Sequence, residues 1–322
     1  PAGMRSVRTG QVILARVLSP ALIATPGRNG YGAAVFWHTP NVVGPPPLPL
    51  AAPGRAALGR VVAIAAFLVF GGLAVGKWSP YTFLHGDGAF YANICKSLWH
   101  DLTLDQGSYH PHSWLEDDLG WNRDLDQGWS NVSLGKDGRW LPKHSFVMPL
   151  FSLPFYGAFG LGGLLLFHVL MLTTLVTAAY SIAARFIEPP YAAVAALLVA
   201  AQPVITGDAY SYNNDVFYSA CLLAGVACFL WAHGIGDIRA PTGRKRRRLN
   251  VAAGLLLGIG VWAKVTNLVF VIPFGLWLIS RGDLISVRRS VLAFAVPIGL
   301  FLASNAALFG SPFTTSYSRV LI

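Results

Sequence analysis

The chain has 322 residues, 54% of them hydrophobic and only 12% charged, with a formal net charge of +10. That is too apolar for a soluble protein of this length and reads as a polytopic helical membrane protein, because lipid forces the backbone to satisfy itself in helices or closed barrels. The basic residues sit in short segments between apolar runs, which is the positive-inside pattern and argues against a nucleic-acid partner.

Residues 1 to about 57 are rich in Pro, Gly and Arg and lack the layered charge and apolar order of a signal peptide. They read as a disordered cytoplasmic tail. The first predicted span is Leu58 to Gly76, about 19 apolar residues and enough to cross roughly 30 Å of hydrocarbon. Arg55 and Arg60 place its start in the cytoplasm, and Lys77, Trp78 and Tyr81 mark the outer interface. A polar loop over 77–146 follows. Nine of the fourteen acidic residues lie between Lys77 and His144 with six basic ones, so this window carries −3 and the remainder of the chain +13. Inside it, Phe90, Tyr91, Ile94, Leu98 and Trp99 recur at helical spacing. That predicts an amphipathic helix over 88–100 lying on the bilayer surface. Residues 101–140 read as an ordered lid. Asp124-Leu125-Asp126-Gln127-Gly128 starts like a calcium loop but lacks the downstream glutamate and reads as solvated loop. Residues 146–159, interrupted by Pro149 and Pro154, read as an interfacial segment.

The second span is predicted at Gly163 to Ala184 and the third, a short one, at Tyr191 to Ile205. A second outer loop, 207–215, contains Asp208, Asn213, Asn214 and Asp215. The fourth span, Val216 to His233, leads to Arg239 and the run Arg244-Lys245-Arg246-Arg247-Arg248. That run belongs in the cytoplasm, where such runs can also meet anionic lipid headgroups. The next apolar stretch, Val251 to Ile279, is broken by Lys264 and followed by Arg281, Arg288 and Arg289. Basic residues at both ends call for an even number of crossings, yet about 29 residues at 1.5 Å each reach only roughly 43 Å. Two half-depth helices meeting near Lys264 satisfy both conditions. Gly254, Gly258 and Gly260 permit close helix packing there. The last span runs from Ser290 to Leu308, with Gly310 to Tyr317 outside. The expected fold is an all-α bundle of about seven crossings with both acidic loops on one, extracytoplasmic, side of a plasma or inner membrane.

Asp87 lies between two glycines just ahead of the amphipathic helix. A carboxylate there is stabilised as an anion and can serve as a general base if a hydroxyl is delivered to it; the competing reading is a helix N-cap. Asp208 and Asp215 share the second outer loop and could hold a divalent ion such as Mg or Mn through oxygen ligands, or cap a helix. Lys264 is a charge at membrane depth and so a functional candidate, unless it snorkels. Lys143 and His144 stand at the outer interface; two cations there suit a lipid phosphate. His85 and His144 could move protons or simply hydrogen-bond within loops. No glycine-rich phosphate loop with a following Lys-Ser/Thr is present, which argues against a nucleotide cofactor. Cys95, Cys221 and Cys228 form no disulfide framework.

Five groups of residues carry a resemblance. They are Gly86-Asp87 with Tyr91; Lys143-His144-Ser145 with Pro149-Leu150; Asn214-Asp215; Gly254-x3-Gly258 leading to Lys264-x-Thr266; and Asn305-x3-Phe309-Gly310-Ser311-Pro312. In order and placement the set resembles the GT-C membrane glycosyltransferases, in the group of protein O-mannosyltransferases and lipid A aminoarabinose transferases (glycosyltransferase family 39). The likeness covers about residues 58–322. It implies transfer of a sugar, with inversion, from a polyprenyl-phosphate carrier to an extracytoplasmic hydroxyl of a protein, lipid or glycan. It further implies Asp87 as general base and Lys143, Lys264 and His144 around the carrier phosphate. Asp215 with Asp208 would form a metal or polar site, and Tyr91 and Asn214 would line the cavity. The first loop is longer and more acidic over 101–137 than in the group, Asp87 has no acidic neighbour, and the family's C-terminal part is missing, so the chain reads as an N-terminal fragment. The rival readings are a transporter or lipid flippase, resting on Lys264 and a broken helix pair, and a non-catalytic subunit of an envelope-glycan complex.

Overall fold

The computed structural model describes residues 52–107, 132–236 and 239–320. The tail up to residue 51 and the lid segment 108–131, with its Asp124–Gly128 loop, lie outside the described residues. The chain is helical, with one small hairpin: α1 (Ala52–Gly76), α2 (Pro80–Phe83), α3 (Gly88–Asp101), β1 (Val132–Leu134), β2 (Trp140–Pro142), α4 (Val147–Ala183), α5 (Pro189–Ala200), α6 (Pro203–Asp208), α7 (Asn214–His233), α8 (Gly243–Ala263), α9 (Leu268–Ser280) and α10 (Leu284–Phe309). Among the described residues four helices, α1, α4, α7 and α10, are long and apolar enough to cross a membrane, while α5 is apolar but shorter, as is the Val265–Ser280 segment that holds α9. This is an all-α multi-pass membrane protein.

The helices run between two ends. Tyr180, late in α4, donates its hydroxyl to the Arg55 carbonyl at 2.9 Å, and buried Arg185 donates to the Ile235 carbonyl at 2.6 Å. The start of α1 and the ends of α4 and α7 therefore share one end, called here the basic end. Phe83, Tyr91 and Tyr212 stack at the other, the loop end. The Tyr180 bond also explains why α1 starts six residues before the predicted span: Pro53 suits a first helical turn, and that turn is held by α4. α7 packs between α4 and α8, and α8 between α7 and α10.

The two-limbed reading of the stretch around Lys264 fits the geometry, since Arg246 at the start of α8 pairs with Asp283 just beyond α9. Both limbs thus begin and finish at the basic end. The first limb is not half-depth, however. α8 has 21 residues, about 31 Å at 1.5 Å each, because the basic run is itself helical. Arg and Lys are good helix formers, so an apolar window alone starts this helix too late. Close packing at the glycines is observed: a Cβ on Gly254 would fall 2.3 Å from the Ser290 carbonyl, and one on Gly258 2.9 Å from that of Phe294.

Two further elements refine the sequence reading. α4 is two helices meeting at a corner, for Gly160 takes φ 57, ψ −135, a region glycine enters freely. The first limb folds back on the second so tightly that a Cβ on Gly163 would sit 1.8 Å from the Phe155 carbonyl. The expected interfacial segment is this reversed limb. α3 is more than a surface helix. Gly88, Ala89, Tyr91 to Cys95 and Ser97 are buried, because the small residues between the aromatic ones let a second face pack on α4. Trp99 stays 48% exposed.

Candidate active site

A cavity of about 500 Å³ opens at the loop end, lined by Asp87, Tyr91, His144, Asn214, Asp215 and Lys264 together with residues of α10 and of the segment after it. The other two predicted site residues stand apart. Asp208 accepts a 2.8 Å bond from the Asn213 amide, and its carbonyl meets His168 Nε2 at 2.7 Å. Lys143 contributes its backbone carbonyl, which accepts from Ser316 Oγ at 2.5 Å, and does not line the cavity.

Asp87 occupies the N-cap position of α3, but its side chain makes no capping bond. Its carbonyl holds the Tyr91 N–H at 3.1 Å, and its carboxylate lies instead 3.4 Å from His144 Nε2. The competing cap role is therefore not what this carboxylate does. The same holds at α7. There Asn213 is the cap, accepting from the Val216 N–H at 3.1 Å, and Asp215 lies 3.5 Å from Lys264 Nζ.

Lys264 stands where α8 stops, in an extended conformation of φ −154, ψ 106. Buried Asn267 stitches this break by donating its side-chain amide to the Gly260 carbonyl at 2.9 Å and its backbone N–H to the Lys264 carbonyl at 2.9 Å. The lysine side chain is 49% exposed, because the helix break turns it into the cavity rather than into the helix packing. Its ammonium donates to the Tyr218 hydroxyl at 3.2 Å. Asn214 fixes the adjoining wall by donating to the Ala263 carbonyl at 3.1 Å.

Sequence reasoning missed Tyr317. Its hydroxyl lies 3.1 Å from His144 Nδ1, so Tyr317, His144 and Asp87 form a chain across the cavity. The available signal was topological: Tyr317 ends the segment after the last span, on the same side as both acidic loops. The β1–β2 hairpin holds that segment in place. Ser133 Oγ donates to the Ser316 carbonyl at 2.8 Å, Lys136 N–H to the Leu308 carbonyl at 2.9 Å, and Ser133 bridges Val320. Tyr218 was also unassigned, although it is three residues after Asp215 and so on the same face of α7.

Burial pushes the His144 imidazole below its usual range; Asp87 works against that shift and Lys143 with it. Burial also pushes Tyr91 and Tyr317 up, with the Asp87 charge adding to both. The wall around Asp87 therefore holds neutral donors. Among the described residues no three His, Cys, Asp or Glu side chains gather as metal ligands. Asp208 is turned to Asn213 and Asp215 to Lys264, so the described residues do not fit the expected divalent-ion site.

The family profile of the dolichyl-phosphate-mannose-protein mannosyltransferases matches residues 143–308, just over half of the 322-residue chain. The chain belongs to this family. It is thus a multi-pass membrane glycosyltransferase of the kind that uses polyprenyl-phosphate sugar donors. No curated protein and no solved structure matches it. The matched stretch includes His144, Asn214, Asp215 and Lys264; Asp87 and Tyr317 lie outside it and meet it in space.

Proposed function

We propose that the cavity receives the sugar phosphate of a polyprenyl-phosphate-linked hexose and that Asp87 is the general base for an extracytoplasmic acceptor hydroxyl. The observation that carries this reading is the meeting of an uncapped Asp87 carboxylate with Lys264 in one cavity at the loop end. In the reaction the acceptor oxygen attacks the anomeric carbon and its proton passes to Asp87. The bond from that carbon to the phosphate oxygen breaks, and the carrier phosphate leaves with the electron pair. A single displacement inverts the anomeric centre, by analogy with inverting glycoside chemistry. The leaving phosphate gathers charge, and Lys264, half-exposed in the cavity, stabilises it; Asp215 and Tyr218 hold the ammonium in place.

His144 is a positioning residue in this scheme. As a neutral imidazole with the proton on Nε2 it faces the Asp87 carboxylate 3.4 Å away and accepts at Nδ1 from the Tyr317 hydroxyl at 3.1 Å, the tautomer this scheme uses. Basic residues at the far end of the bundle favour a cytoplasmic location for that end and an extracytoplasmic one for the cavity.

The test is carrier-dependent transfer by the full chain in liposomes, using labelled polyprenyl-phosphate hexoses. Wild type is expected to release or transfer sugar, and Asp87→Asn to lose this while keeping its melting temperature. A well-folded protein that binds the carrier but never turns it over would sink the enzyme reading and favour transport or scaffolding.

A further inference from the structure

The basic end has a feature that charge-guided membrane insertion does not require. A pocket of about 530 Å³ lies between the start of α8 and the start of α10, lined by Arg244, Arg246, Arg247, Arg289 and Asp283. A second one of about 510 Å³ shares Arg246 and Asp283 with the first and has Arg281 on its wall. Asp283 is the one carboxylate lining either pocket among the described residues, and it is spent. It takes Arg246 and caps α10 by accepting from the Ser286 N–H at 3.2 Å. Arg244, Arg247 and Arg289 have no carboxylate within ion-pair distance among the described residues. The first turn of α8 is likewise unspent, since Thr242 makes no side-chain cap bond, and its free N–H groups carry the positive end of the helix dipole. Topology by positive charge depends on how many Lys and Arg a loop carries. It does not ask three unpaired guanidinium groups to surround one concavity.

We infer that this pocket binds a phosphate group through Arg244, Arg247 and Arg289. Guanidinium forks match phosphate oxygens in bidentate fashion, and a helix N-terminus beside them adds backbone donors. The site is about 27 Å from Lys264, counting the 18 residues of α8 between Arg246 and Lys264 at 1.5 Å each. It is therefore separate from the sugar-transfer cavity. The phosphate can come from an anionic lipid headgroup of the adjacent leaflet or from a soluble phosphate compound.

The experiment uses the full chain in nanodiscs. One arm titrates inorganic pyrophosphate into phosphatidylcholine discs. The other compares thermal unfolding in phosphatidylcholine discs with unfolding in discs containing phosphatidylglycerol. Each is run on wild type, on R244Q/R247Q/R289Q, and on the charge-matched K245Q/R248Q/R288Q, whose three residues line neither pocket. The expected result is binding or stabilisation in wild type that weakens at least tenfold in the pocket variant and survives in the charge-matched one. A response to the lipid alone assigns the headgroup, and a response to pyrophosphate alone assigns a soluble phosphate. Equal loss in both triple variants would show that only charge count matters and overturn the pocket, as would a wild type that responds in neither arm. If the triple variant does not fold, the single substitution R247Q, at an exposed side chain, carries the same comparison against R248Q.

Discussion

The two ends of the bundle handle charge in opposite ways. At the loop end, charged and polar groups from distant segments find each other: Asp87 meets His144, His144 meets Tyr317, and Asp215 meets Lys264. At the basic end the charges come from two short runs, 244–248 and 281–289, and among the described residues Arg244, Arg247 and Arg289 have no carboxylate partner beside the Arg246–Asp283 pair. Paired groups drawn from far apart are expensive to assemble and fix a geometry, which is what chemistry needs. Unpaired local charge costs little to assemble and reads position or attracts anions.

Substitutions can break this contrast. The largest effect is expected for Asp87→Asn, which removes the base while leaving the α3 backbone intact. Transfer should fall about 10²–10⁴-fold with the melting temperature unchanged. Next is Lys264→Met, where loss of one charge-stabilising donor should lower kcat/KM by roughly 10²–10³-fold; recovery with Lys264→Arg would sharpen the phosphate assignment. Gly163→Ala tests the corner of α4, where a new methyl meets the Phe155 carbonyl. Overpacking of this kind costs about 1–3 kcal/mol and should appear as a lower melting temperature in detergent.

His144→Gln and Tyr317→Phe should each slow transfer by roughly tenfold or less, about the worth of one hydrogen bond. Their pH profiles are more telling than their rates. Because burial lowers the His144 pKa, the imidazole is neutral at pH 7 and gains its proton only below histidine's usual value of about 6.5. Wild-type kcat/KM should lose a component on the acid side of that value, as protonated Nδ1 can no longer accept from Tyr317. His144→Gln should lack that inflection. The smallest effect is expected at the other end. Arg246→Gln breaks a partly exposed pair and should cost under about 1 kcal/mol with transfer retained.

Much of the fold could be read from the sequence, because apolar runs and basic flanks are local signals. Asp87, Asn214, Asp215 and Lys264 were legible as cavity candidates from local pattern too: Asn214 and Asp215 precede an apolar run, Lys264 interrupts one, and Asp87 sits between two glycines ahead of an amphipathic helix. The Tyr317–His144 contact was not, since it joins residues 173 apart through a hairpin with no strong local pattern. The reversal at Gly160 lies in a segment whose prolines and glycines signal a break but not its direction. Lys264 was legible as a break in an apolar stretch; that the break turns its side chain into the cavity was not, because hydropathy does not show where a helix ends.

α8 also sets a length. Arg246 and Lys264 must both reach polar surroundings, and the roughly 27 Å between them is close to the hydrocarbon thickness of a bilayer, about 30 Å. Tilt shortens the reach of a rigid rod across the bilayer but cannot lengthen it. The helix therefore suits membranes up to about this thickness: in a thicker bilayer one of the two cations is drawn toward hydrocarbon, or the lipid around the rod must thin to meet it. The spacing of two charges on one helix thus sets an upper bound on the membrane thickness this fold meets without strain.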